Sequence, residues 1–474
     1  MDATALCRLT IGQLAELIRT REVSPVEATE AALARAEALD GNYNAFIALW
    51  RDAALQAARE AERDIADGTY RGPLHGVPIA LKDIFATQGQ IVTNGSRIYA
   101  DAVSDYDATV VARLRAAGAI FMGSLNLYQF ACGQVMNPDF GPVRNAWNRD
   151  HIAGGSSSGS GTAVAADMCF GSLGTDTGGS IRIPAVLNGI VGLKPTYGRV
   201  SRHGVFPLSG SMDHVGPLTK EVRDTALMMN VIAGYDPNDP TTSKIPVPDY
   251  TASLIGDIDA LRVGMPQPYF FEALQPSVRN AVSQAMDQLV QLGGHLEEQT
   301  LTTLDAAPEV LWTLISGDAG VVHETHLAAH ADILDSDVRQ LAERGSTLEA
   351  KDYIKAQQAR DEIKHQMAAA LERVDVLVTP TSPIVSPRLG DDTVEIGGNT
   401  VPMRPMLRRL TLPFNLSGFP ACTIPCGMSP DGLPIGLQII GKPFDEATVL
   451  RVAHAYELST NWHQQRPVTT GRAT

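Results

Sequence analysis

Three side chains and one short run of glycines hold the reactive chemistry of this sequence. Lys82 closes an apolar run, Val77 to Leu81. Ser156 and Ser180 each sit among glycines, 180 − 156 = 24 residues apart. A serine hydroxyl is a weak nucleophile until a base takes its proton. A neutral lysine can be that base, directly or through a second hydroxyl. Just before Ser180 runs Asp176-Thr177-Gly178-Gly179. Glycines let successive backbone N–H groups point one way, which is what a tetrahedral oxyanion requires. Together these residues suit attack of a serine on a carbonyl carbon.

Two other chemistries compete for the stretch from Gly154 to Thr196. Glycine turns ahead of a helix can bind phosphate, but neither G-x-x-x-x-G-K-[ST] nor G-x-G-x-x-G follows a strand here. Gly155-Ser156-Ser157-Ser158-Gly159 matches G-x-S-x-G centred on Ser157. That elbow needs an apolar strand immediately before it, and Asn148 to Ala153 is not one. Such Gly/Ser density usually marks a linker. The embedded apolar runs Thr162 to Ala166 and Gly189 to Leu193 mark core instead, where a bare backbone does something a Cβ would prevent. Plainer roles stay open too: Ser156 as a cap of the helix from Ser158 to Asp167, and Arg182 as a structural partner of Asp176.

The elements that must position these groups follow from periodicity. Lys82 and Asp83 are neighbours at a strand end, so they point to opposite sides, and Asp83 is not the ion-pair partner of Lys82. Further strands are predicted at Ala119–Gly123, Ser172–Thr175, Gly189–Leu193, Leu261–Met265, Val374–Thr379, Ala421–Ile424 and Leu437–Ile440. Helices fall near Val222–Ala233, Ser277–Leu292, Ala350–Glu372 and Glu446–Leu458, with Asp107 capping another to Ala117. This alternation predicts an α/β fold, a large mostly parallel mixed sheet covered by helices on both faces. Residues 1–70 read as a helical layer, with capping boxes at Thr10/Gln13 and Ser24/Glu27 and an alanine-rich helix over Asp52–Asp67. Residues 72–446 read as the core and 447–474 as a helix and tail, all in one domain. The 235–250 segment reads as a surface connection. The 381–409 segment reads as a long loop, of the kind that is functional or mobile.

Bulk properties narrow the classes. A formal charge of −15 argues against autonomous binding to nucleic acid or an anionic membrane. No basic, then apolar, leader opens the chain, and no run of about 18 apolar residues spans a membrane. Five scattered cysteines, an odd number, suit buried thiols in a reduced, cytoplasmic protein.

Six segments then carry a family resemblance: GVPIALKD (Gly76 to Asp83), GGSSSGSG (Gly154 to Gly161), GTDTGGSIRIPA (Gly174 to Ala185), GLKPTYGRVSR (Gly192 to Arg202), DHVGPLT (Asp213 to Thr219) and GLPIGLQIIGKPFDE (Gly432 to Glu446). In order and spacing they resemble the amidase signature family. The resemblance implies Ser180 as nucleophile, Ser156 as bridging serine after a cis peptide, and Lys82 as base. It implies an oxyanion hole from the N–H groups of Thr177, Gly178, Gly179 and Ser180. Ser157, Thr175, Asp176 and Arg182 match supporting positions. No metal or organic cofactor is implied. Ser158 stands where many members have glycine.

Substrate choice is open at this level. The expected determinants are Tyr128, Phe130, Phe206, Arg360, Arg408 and the 381–409 loop. The aromatic residues either shape an apolar pocket or pack the core. Arg404, Arg408 and Arg409 either accept an acid group or form a solvated basic cluster. A stand-alone amidase for a small amide, aryl amide, carbamate or urea-like substrate is the leading expectation, with a homodimer as a candidate assembly. The alternative is the glutamine-hydrolysing A subunit of a tRNA-dependent amidotransferase. Members of that branch carry an acid shortly before the segment matching Thr411 to Gly418, whereas this chain has Arg408-Arg409. A cation there would repel glutamine's ammonium by roughly 1–4 kcal/mol. A non-catalytic binding protein on the same fold is the third possibility.

Overall fold

Apolar runs of four to eight residues become strands, and their burial fixes their place in the sheet. The computed structural model describes residues 1–469; the end of the expected C-terminal tail, 470–474, lies outside the described residues. The strands are β1 (Phe46–Leu49), β2 (Pro78–Lys82), β3 (Ile120–Leu125), β4 (Gly171–Asp176), β5 (Val191–Lys194), β6 (His214–Thr219), β7 (Arg262–Gln267), β8 (His295–Thr300) and β9 (Val376–Pro380). A short ribbon follows, β10 (Thr393–Ile396) with β11 (Asn399–Pro402), and then β12 (Ala421–Met428) and β13 (Pro434–Gly441). Eleven of them form one sheet in the order β1-β3-β2-β4-β6-β5-β12-β13-β9-β7-β8.

The α/β class and the mixed sheet are as expected, but the parallel pairs are confined to two flanks. β3, β2 and β4 run parallel on one side, and β9, β7 and β8 on the other. Between them every neighbouring pair from β4 to β9 is antiparallel. The cause is local at β12 and β13, which a short turn joins as a hairpin, so they must pair antiparallel. The inner strands β2, β4, β5, β6, β9 and β13 are buried along their whole length. Since side chains alternate, both faces of the sheet are covered.

The N-terminal helices form as their caps dictate. Thr10 and Gln13 exchange backbone and side-chain hydrogen bonds at the start of Ile11–Arg19, and Ser24 and Glu27 do so at Pro25–Tyr43. Asp107 does not cap its helix. That helix spans Thr109–Ala116, and Asp107 instead accepts from Gln88 N and pairs with Arg115. The 381–409 segment is not a plain loop: it contains the β10–β11 ribbon and a helix, Met403–Arg409. Further helices, Ala307–Val322 and Ser336–Ser346 among them, occupy a stretch to which periodicity assigned nothing. All five cysteines are buried and unpaired. Among the described residues, no helix is long and apolar enough to cross a membrane.

Two register facts place the site. Ala80 pairs with Ser172 and Leu81 with Leu173 in the parallel β2–β4 ladder. Lys82 and Asp176 are the last residues of those strands. Two parallel strands therefore deliver their carboxyl ends to one edge, the position where α/β sheets commonly bind ligands.

Candidate active site

Lys82 is buried at the end of β2. Its Nζ donates to Ser156 Oγ at 2.9 Å and to Thr175 Oγ1 at 2.7 Å, and no carboxylate lies within ion-pairing distance among the described residues. Burial pushes the ammonium down from 10.5 to about 7, with the more distant Asp213 and Asp176 opposing the shift. Asp83, as expected, points elsewhere: its Oδ2 accepts from Thr93 N at 2.9 Å and from the Thr93 hydroxyl.

Ser156 follows the cis Gly155–Ser156 bond and hydrogen-bonds Lys82, so it does not cap the helix Ser158–Ala165. Gly155 has to be glycine: a Cβ there would meet the Tyr128 ring at 2.2 Å. Ser157 Oγ is held by the backbone of Thr175, with contacts to its N and O at 3.3 Å. This ties the serine loop to β4 beside the lysine.

The turn after β4 wraps around Asp176. Its carboxylate accepts from Gly179 N at 2.8 Å and Ile181 N at 3.1 Å, and from Arg182 Nε and Nη2, both at 3.0 Å. The Arg182 and Asn415 contacts outweigh burial and hold this carboxyl well below the usual range. Arg182 gives its remaining donors to Thr411 O, Gln438 Oε1 and Asn415 Oδ1. All five guanidinium N–H groups thus have acceptors. Gly179 has φ +124, and a Cβ there would strike Thr411 Oγ1 at 2.3 Å.

This wrapping changes one expectation. The Gly179 amide is engaged by Asp176, so Gly179 turns the loop and does not present a free donor. The amides of Thr177, Gly178 and Ser180 donate to no protein acceptor among the described residues. Asp213 supports the loop from the other side, accepting from Thr177 Oγ1 at 2.6 Å and from Leu208 N and Ser209 N at 2.9 Å.

Ser156 and Ser180 line one cleft of about 30 Å³ with Tyr128, Gly178, Trp312 and Arg408. Of the expected substrate contacts, Tyr128 and Arg408 are in this wall. Phe206 is in a neighbouring cavity that also touches Thr175, Thr177 and Asp213. Phe130 is buried in a cluster with His323, His326 and Phe206 and lines neither space. Arg360 is committed to Leu416 O and to Ser211 Oγ and O, which leaves it structural. Reasoning from sequence missed Asp213, Thr411, Asn415 and Gln438, and the wall residues Leu311, Trp312 and Ile315. Asp213 opens the DHVGPLT segment, and Thr411 and Asn415 lie in the stretch before Gly418, so only their roles went unread.

The α/β sheet thus carries, at the ends of two parallel strands, a buried, unpaired lysine hydrogen-bonded to one serine, with that serine, a second one and a turn of free amides on one cleft. The chain belongs to the amidase signature family, matching its Amidase description over residues 27–450, and is a hydrolase of carbon–nitrogen bonds. It is 42% identical to the A subunit of the glutamyl-tRNA(Gln) amidotransferase of Geotalea daltonii, over 97% of this chain and 99% of that one. One similar solved structure belongs to a vestigial protein complex that bears on the origins of an s-triazine catabolic enzyme. It is 33% identical with a TM-score of 0.91, covering 95% of this chain and 98% of that one. A bacterial aryl acylamidase is 26% identical with a TM-score of 0.91, covering 98% and 99%.

Proposed function

We propose that the chain hydrolyses a small amide through Lys82, Ser156 and Ser180, with an acyl-enzyme on Ser180. Neutral Lys82 takes the proton of Ser156 as Ser156 takes that of Ser180. The Ser180 oxygen bonds to the amide carbon, and the oxyanion is received by the amides of Thr177, Gly178 and Ser180. The proton returns along the same path to the leaving nitrogen, the C–N bond breaks, and the amine departs. Water then adds to the ester, giving its proton to the relay. The acid leaves and Ser180 is restored. A base of this kind works best with a proton affinity near the working pH, and burial sets Lys82 at about 7. The observation that carries the reading is the 2.9 Å contact of this lysine with Ser156.

A fluorophosphonate should label Ser180, located by mass spectrometry, and Lys82→Ala should abolish labelling with the fold intact. An unmodified chain would leave a non-catalytic binding protein as the better account.

A second reading has its own support. The sequence relatives favour a glutamine-hydrolysing component of a tRNA-dependent amidotransferase over a stand-alone enzyme, at 40–42% identity over nearly the whole chain. The basic wall of the cleft favours the stand-alone amidase. Ammonia release from glutamine, with and without partner proteins, against release from simple amides separates the two.

A further inference from the structure

Three arginines line a cavity that shares a wall with the cleft, and two are already engaged. Arg344 donates to Glu309 Oε1 at 2.6 Å. Arg404 pairs with Asp337 and donates to Gly133 O at 3.1 Å. Arg408, one turn on from Arg404 in the helix Met403–Arg409, differs. Among the described residues, its guanidinium donates no hydrogen bond and has no carboxylate within 4.0 Å. Its one specific contact is with the Trp312 ring, over which its Cζ lies 5.1 Å from the centroid. A partly buried guanidinium with its donors unused is costly unless a ligand completes it.

The backbone brings that group to the chemistry. Thr411 N and Oγ1 both donate to Arg408 O at 3.0 Å, and the same Oγ1 contacts Gly178 O at 2.8 Å. Arg182 holds Thr411 O at 2.9 Å. The end of the helix is thereby bolted to the turn that carries Ser180. Arg408, Trp312 and Cys132 form a shared wall between the inner cleft and an outer cavity of about 300 Å³. Among the described residues, no carboxylate lines the inner cleft, and the acid lining the outer cavity, Asp337, is taken by Arg404.

From this we infer that Arg408 receives a carboxylate carried by the substrate, and that the substrate is an amide with a free acid group but no ammonium beside it. The inference rests on Ser180 being the amide-cleaving nucleophile. A planar guanidinium matches a carboxylate bidentately. An α-ammonium would enter the same wall with no acid to meet it, which sets an α-amino acid amide at a disadvantage.

Three probes of one chain length test this: glutaramate (acid, no ammonium), glutamine (both) and pentanamide (neither). For the wild-type chain, kcat/KM for glutaramate should exceed that for each of the others by about tenfold or more. Arg408→Gln should bring the glutaramate-to-pentanamide ratio towards one, mainly through KM, and Arg408→Asp should raise glutamine relative to glutaramate. Pentanamide turned over as well as glutaramate, or a ratio unmoved by Arg408→Gln, overturns the inference while leaving the amidase reading in place. If Ser180 takes no fluorophosphonate, the amidase reading falls instead. Calorimetric titration of glutaramate into Ser180→Ala, with and without Arg408→Gln, then decides: binding lost with the arginine supports the assignment, and absent or unchanged binding overturns it.

Discussion

Arg182 and Arg408 are the same side chain in two opposite situations, one under the site and one in its wall. Arg182 is fully buried, paired with Asp176, and has an acceptor for each of its donors. Arg408 lines open space and, among the described residues, has none, only an aromatic face beside it. Burial lowers the proton affinity of Arg408 to about 10, so it stays charged at neutral pH. A charge whose partners all come from the chain builds structure. A charge left without partners at the edge of a cleft is available to a ligand. The turn Asp176 to Ser180 belongs to the first kind of region and the helix Met403–Arg409 to the second.

That contrast can be broken in order of effect. The largest loss is expected at the proposed nucleophile: Ser180→Ala should lower kcat by about 10⁴-fold or more, measured as amide hydrolysis, with an unchanged circular dichroism spectrum. Arg182→Leu should be next. It leaves Asp176 buried without its cation and should cost about 3–5 kcal/mol in urea unfolding. Arg408→Leu should shift the same transition little. Equal destabilisation by the two changes would erase the distinction drawn between them.

Lys82 supplies the third test. With Lys82 as the neutral base of the proposed reaction, kcat/KM should fall about tenfold per pH unit below a midpoint of about 7. The sign for stability is the same. Between about 7 and 10.5 the unfolded chain holds a proton that folded Lys82 has released, so stability rises with pH across that window. Lys82→Met should flatten that rise, seen as urea midpoints taken from pH 7 to 10. The smallest effect should come from Thr411→Val. It removes the hydroxyl contact to Gly178 O, and about a tenfold drop in kcat with little change in KM is the expected outcome.

Much of the floor of the candidate site was legible because its parts are local. Lys82 ends a strand, the serines sit in glycine turns, and Asp176 lies within six residues of every group that donates to its carboxylate except Asn415. The Thr10 and Ser24 capping boxes were legible for the same reason. Gly179 shows where even this reading stops. Its residue type predicts a bare backbone, but not that its amide turns inward to Asp176.

The wall was not legible. Leu311, Trp312 and Ile315 have the residue types of any core helix, and periodicity says that a face is buried without saying against what. Phe130 and Phe206 illustrate the same ambiguity: one is core and the other lines a cavity. Arg408 sat in a segment read as loop, and its neighbours Arg404 and Arg409 have the same chemistry. They are distinguished by Asp337, 67 residues before Arg404, and by the Tyr269 carbonyl, 140 before Arg409. The sequence alone determined the candidate reacting groups, the mixed α/β class and the strand ends that carry them, since short-range spacing governs each. Tertiary structure alone decided which strands lie antiparallel, which amides stay free and which arginine stays unpaired, because those depend on contacts between residues far apart in the chain.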